Sequence, residues 1–127
     1  MVLLDSTVLI DCLRGRAALG RVRQLLESGE QLGTTGVNVD EVVRGLRPAE
    51  DRPARVLFDG LRVLPIARGE GWLAGSWRRD FAGRGVTLSQ ADCLIAAAAV
   101  SAGARLATGN PRDFPMPGLV VEHWPVG

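Results

Sequence analysis

The sequence predicts an α/β fold, a single domain over residues 1–127 with a central, mostly parallel sheet of about five strands flanked by helices. Short apolar runs alternate along the chain with stretches of helical period. The first of these runs is continuously apolar, as in strands covered on both faces. Several helical stretches are also bounded by cap-forming residues and by glycine.

Val2 to Leu4 reads as a buried strand, Asp5-Ser6-Thr7 as a capped turn, and Val8 to Gly15 continues with helical spacing. Ala17 to Ser28 sets Leu19, Val22, Leu25 and Leu26 on one face and Arg21, Arg23 and Gln24 on the other, and Gly29 stops it. Gln31 to Thr34 follows as a second strand. Asn38 is expected to open a helix reaching Gly45, and Glu50 or Asp51 a further one to Gly60, with Val56, Leu57 and Leu61 as apolar positions. Arg62 to Pro65 reads as a strand. From Ala67 to Phe81, Trp72, Leu73, Trp77 and Phe81 recur at near-helical spacing, although Gly69, Gly71 and Gly75 each cost a helix about 1 kcal/mol relative to Ala. Gly83-Arg84-Gly85 is a turn. Ser89 opens an Ala-rich helix, Gln90 to Ala102, closed by Gly103. Arg105 to Ala107 is a strand, Asn110 to Phe114 one helical turn, and Leu119 to Glu122 a last strand.

An apolar fraction of 46% and a charged fraction of 23% are those of an ordinary globular protein. The formal charge of +1 decides little, since an acidic cluster and an arginine face cancel in a sum. All 15 basic residues are Arg. Without lysine there is no Walker phosphate loop, Schiff base or pyridoxal anchor. Cys12 and Cys93 form no C-x-x-C pair and lie in apolar stretches, where a thiol behaves as a small buried hydrophobe. The start, Met-Val-Leu-Leu-Asp, lacks the pattern of a signal peptide, and the apolar run Cys93 to Val100 is far short of a membrane span. A cytoplasmic location without membrane attachment is expected.

Four acids share one context. Asp5 follows the first strand, while Glu41, Asp92 and Asp113 each lie three residues after a candidate cap, Asn38, Ser89 and Asn110. Each alone reads as a capping or dipole-favoured carboxylate, contributing about 0.5–2 kcal/mol of stability and no chemistry. Position along the fold argues for more. The carboxyl ends of parallel strands face one edge, where ligand sites gather, and Asp5, Glu41 and Asp113 all follow strands. Asp92 starts a helix that leads into a strand, so it begins near the same edge. Crowded carboxylates need protons or cations, and hard oxygen donors without His or Cys suit Mg²⁺ or Mn²⁺. The chemistry available to such a group is phosphodiester hydrolysis.

Four segments carry a family resemblance: Leu3 to Thr7, Asn38 to Gly45, Leu88 to Ala97 and Leu106 to Phe114. They resemble, in order and over nearly the whole chain, the signature blocks of PIN-domain ribonucleases, most closely the VapC-type toxins of toxin–antitoxin pairs. The resemblance implies an acidic pocket in which Asp5, Glu41, Asp92 and Asp113 bind Mg²⁺ or Mn²⁺ and cleave single-stranded or looped RNA. It implies that Thr7, Thr108 and Asn110 help position the acids, water or substrate. It further implies a homodimer and an antitoxin whose C-terminal segment covers the pocket.

Other readings fit less well. A haloacid-dehalogenase-type phosphatase needs a second Asp where this chain has Thr7, and a lysine it lacks. A serine hydrolase would need His123 as base and a G-x-S-x-G elbow, which is absent; His123 is expected at the surface, at the end of the last strand. A PIN-like module that binds without cleaving stays open, because fold does not fix function. Trp72 and Trp77 are expected to pack at least half-buried, with a dimer or antitoxin surface as the alternative. Arg78, Arg79 and Arg84 form the densest basic cluster, either solvated surface or a contact for RNA phosphates or an acidic partner.

Overall fold

A computed structural model describes residues 1–127. The elements follow in the order β1 (Val2–Leu4), α1 (Ser6–Leu13), α2 (Ala17–Glu27), β2 (Leu32–Thr34), α3 (Gly36–Arg44), α4 (Asp51–Asp59), β3 (Arg62–Val63), α5 (Arg68–Ala82), α6 (Gln90–Ala102), β4 (Arg105–Thr108) and β5 (Val121–His123), with single 3₁₀ turns at Pro48–Glu50 and Pro111–Asp113. The five strands form one sheet in the order β3-β2-β1-β4-β5, and every pairing is parallel.

Strand periodicity divides the core into two layers. Leu3 and Leu106 face one side of the sheet, packing with Ala74, Trp77 and Phe81 of α5 and Ile95 to Ala99 of α6. Val2, Leu4 and Ala107 face the other, against Val8, Leu9 and Cys12 of α1, Ala18 and Val22 of α2, and Val42 of α3. With helices on both faces, the central strands have no solvent side, which explains why β1 is apolar throughout. Cys12 and Cys93 are free thiols, both buried. No helix is long and apolar enough to cross a membrane.

Three elements differ from expectation. The strand expected from Arg62 to Pro65 is only Arg62–Val63, because Leu64 makes a last bond to the Thr34 carbonyl, 2.7 Å, and Pro65 has no N–H to continue the ladder. The last strand lies at Val121–His123 instead of Leu119 to Glu122. Asn38 does not open its helix: Thr35 is the cap, with Asn38 in the third helical position. The glycine-bearing α5 is nevertheless continuous, its stability coming from burial of Ala74, Trp77 and Phe81; Trp77 packs as expected, whereas Trp72, expected at least half-buried, is 73% exposed on the opposite side of the helix from this contact.

The chain runs from β1 outward to β2 and β3, then returns to pair β4 on the other side of β1. The order therefore reverses between β1 and β4, and the crevice beyond their carboxyl ends is where open parallel sheets bind ligands.

Candidate active site

Asp5 emerges from β1 at this crevice. Its N–H donates to the Ala107 carbonyl at 2.9 Å, so the β1–β4 ladder fixes its backbone. It occupies the N-cap position of α1, yet its side chain makes no capping bond. The buried carboxylate instead accepts from Thr108 Oγ1 at 2.7 Å and Thr7 Oγ1 at 3.3 Å. Each hydroxyl is itself oriented by a backbone donor: Gly109 N–H to Thr7 Oγ1, 2.9 Å, and Asn110 N–H to Thr108 Oγ1, 3.0 Å. With its oxygen accepting there, each hydroxyl proton is directed to Asp5. Burial raises the Asp5 carboxyl above the ordinary aspartate range, and these hydrogen bonds oppose the rise. Gly109 permits the close approach: a Cβ there would stand 2.7 Å from a Val126 methyl and 3.3 Å from Thr7 Oγ1.

Asp92 lies in the first turn of α6, where Ser89 Oγ accepts its N–H at 3.0 Å, the cap that the sequence predicts. Burial pushes its carboxyl up to about 6; contact with the Ser89 hydroxyl works downward, and the negative charges of Asp113, Asp5 and Glu41 add to the rise. Asp113, Asp5 and Glu41 are thus all near enough for their charges to act on Asp92.

Glu41 reaches the edge by another route. It sits well inside α3, six residues past the Thr35 cap, so it is not an N-terminal carboxylate. Its Oε1 accepts from Ser6 Oγ at 2.8 Å, and Ser6 Oγ accepts from Asn38 Nδ2 at 3.0 Å. Asn38 Oδ1 in turn accepts from Thr35 N–H and Oγ1, at 3.2 and 2.7 Å. Thr35 and Asn38 are fully buried. Ser6 and Asn38 therefore tie α1 to α3 beneath Glu41, a role not assigned to either from sequence. The signal was present: Asn38 lies one helical turn from buried Val42, on the core face, where an amide needs partners.

Asp113 is exposed in the turn Pro111–Asp113. Asn110 makes no side-chain cap there, contrary to expectation, and is exposed. Of three predicted caps only Ser89 acts as one before its acid, which weakens a purely helix-capping account of the cluster. None of the four acids has a basic partner; the protein's ion pairs use Glu30, Glu50, Asp51 and Glu122. As the side chains stand, no three acids form a closed ligand set. The donor set, all carboxylate oxygens, fits Mg²⁺ or Mn²⁺, since Mg²⁺ keeps several waters and needs only one or two carboxylates.

Of the arginine cluster, Arg78, Arg79 and Arg84 are all exposed. Arg84 lies over the Phe81 ring at 4.2 Å. The Arg78 charge reaches Cys93 at the start of α6, beside Asp92. His123 is exposed at the end of β5, as expected.

This chain, an all-parallel sheet with an unpaired acidic group, matches over residues 2–115 the family model described as PIN domain, and it belongs to the PIN-domain family. Within it, the chain is 34% identical over 121 residues to Ribonuclease VapC19 of Mycobacterium tuberculosis, covering 91% of this chain and 94% of that protein. It is 35% identical over 119 residues to Ribonuclease VapC10 of the same organism, covering 91% and 87%. Among solved structures, the DNA-bound VapBC of Salmonella typhimurium superposes with a TM-score of 0.79 at 25% identity, covering 97% of each chain.

Proposed function

We infer that this chain is a Mg²⁺- or Mn²⁺-dependent endoribonuclease, the toxin of a toxin–antitoxin pair acting in the cytoplasm. The reading rests above all on Asp5: a buried carboxylate that caps no helix, has no cation, and is held by two hydroxyls beside three further unpaired acids. Stability alone does not favour such a grouping, because crowded carboxylates repel. The ribonuclease names of its relatives, VapC19 and VapC10, support the substrate class.

In this reading Asp5, Glu41, Asp92 and Asp113 together hold the cation, one or two of them directly and the others through its bound waters. When bound, it supplies a water of lowered pKa and stabilises charge on the phosphoryl oxygens. Thr7 and Thr108 keep Asp5 oriented, Ser6 fixes Glu41, and Asn110 at the rim faces substrate. The VapBC complex of the solved relative supports a partner protein, and the resemblance to VapC-type toxins supports a homodimer whose pocket an antitoxin covers. The test is cleavage of a structured RNA, with light scattering to give the dimer mass. Cleavage is expected in Mg²⁺ or Mn²⁺, and neither in EDTA nor in the antitoxin complex. No cleavage with any divalent metal overturns the ribonuclease reading; undiminished cleavage in the complex overturns the toxin reading.

Arg78, Arg79 and Arg84 are assigned to RNA phosphates. Phosphate contacts position a substrate and contribute uniform binding, whereas the acids act on the transition state. Replacing all three with Gln is expected to raise KM, flatten the salt dependence of binding and leave kcat within a few-fold. Unchanged affinity and salt slope would return them to solvated surface or to the partner.

A further inference from the structure

We propose that the polar cleft beside the ends of β4 and β5 is a subsite for an RNA phosphate flanking the scissile bond, with Arg112 and His123 as its contacts. The proposal rests on the ribonuclease reading and names where the substrate strand leaves the acids.

The cleft, about 390 Å³, is lined by Gly109, Asn110, Pro111, Arg112, Asp113 and His123. Its volume suits a group of nucleotide size. It meets the acidic group at two points, one along the chain and one across the sheet. Asp113, whose charge acts on Asp92, forms part of its wall and adjoins Arg112. His123 is paired in register with Thr108, and Trp124 N–H donates to the Thr108 carbonyl at 2.8 Å, so the strand end carrying His123 is fixed against the residue that orients Asp5.

Both side chains are exposed, and neither takes part in an ion pair within the protein. An RNA strand that brings one phosphate to four carboxylates meets repulsion along its neighbouring phosphates, and cationic or N–H-donating groups outside the acid cluster are needed to offset it. A guanidinium presents a donor fork matched to phosphate oxygens, and an imidazole adds a ring N–H. The lining contains no Val, Leu, Ile, Phe or Trp to seat the apolar anchors of a partner peptide, which favours the nucleic acid as occupant.

His123 is the only histidine of the chain, so its ring protons report on the cleft directly. The experiment adds a short single-stranded RNA to Asp92→Asn protein in Mg²⁺, following binding by fluorescence anisotropy and the imidazole resonances by NMR. The resonances are expected to move in step with saturation. Arg112→Gln with His123→Gln should weaken RNA binding by about tenfold and lower the log–log salt slope by about one for each phosphate no longer held. With Asp92 intact, the same pair should raise KM with kcat within about threefold. RNA that saturates the protein while the His123 resonances stay fixed and the double variant binds as before overturns the subsite alone. Resonances that move only with an antitoxin segment assign the cleft to the partner and overturn it too. Absence of any RNA binding by the parent protein fails the ribonuclease reading, and the subsite with it.

Discussion

Asp92→Asn and Asp5→Asn are each expected to lower RNA cleavage by about a thousandfold or more, because in the proposed reading each removes a carboxylate that holds the cation, and the cation balances the negative charge developing on the phosphoryl group. Folding should survive and, without metal, improve. The folded Asp92 carboxyl titrates at about 6 against an ordinary value of 3.8, so the folded state holds the proton more tightly than the unfolded state. For a carboxyl raised in this way, stability is lost as pH rises from about 4 through about 6. One pKa unit corresponds to about 1.4 kcal/mol, and discounting for solvent screening at the partly exposed Asp92 leaves about 1–2 kcal/mol. Asn has no proton to release. Metal-free wild type should therefore lose more melting temperature between pH 4.5 and pH 7.5 than Asp92→Asn does, and saturating Mg²⁺ should narrow that gap, since a ligand bound only to the folded state stabilises it. Wild-type-like cleavage in either variant would sink the assignment of these acids. A loss of about 1–2 kcal/mol with cleavage retained would instead make Asp92 a helix-terminus carboxylate.

The readability of this protein follows the range of its interactions. β1 and α6 were legible because their cues are local: an unbroken apolar run in one, a Ser cap and a closing glycine at positive φ in the other. The grouping of the acids was legible for a topological reason, since parallel strands deliver their carboxyl ends to one edge and Asp92 starts a helix that leads back into a strand. What failed was the local explanation of how two of them get there. Asn38 and Asn110 both have the composition of caps, but composition does not say whether an amide faces the backbone ahead of it or the core. The bond from Asn38 to Ser6 joins residues 32 apart in sequence, and that from Thr108 to Asp5 joins residues 103 apart. Neither leaves a periodicity. The Arg112–His123 cleft is hidden for the same reason, because only the parallel pairing of β4 and β5 sets His123 beside Thr108.

Asn38→Leu is expected to destabilise the fold by about 2–4 kcal/mol, lowering the melting temperature by about 10 °C or more for a chain of this size. Leu is no smaller than Asn, so a cavity does not account for the loss; the cost comes from partners left behind. Thr35 loses the acceptor for its hydroxyl and its N–H, and Ser6 loses its donor, all at buried positions. A buried polar group stripped of its partner costs about 1–3 kcal/mol. The change should also reach the site, because Asn38 Nδ2 donates to the same Ser6 Oγ whose proton goes to Glu41. Ser6→Ala separates the two effects: it removes the Glu41 hydrogen bond directly, with an expected stability loss of about 1–2 kcal/mol. If Asn38 acts through Ser6, both variants reduce kcat by similar factors at a temperature where both are folded, with KM nearly unchanged. Asn38→Leu melting within a degree or two of wild type would show that the buried amide network contributes little. Full kcat in Ser6→Ala would show that Glu41 needs no anchor, and the α1–α3 link would then be structural only.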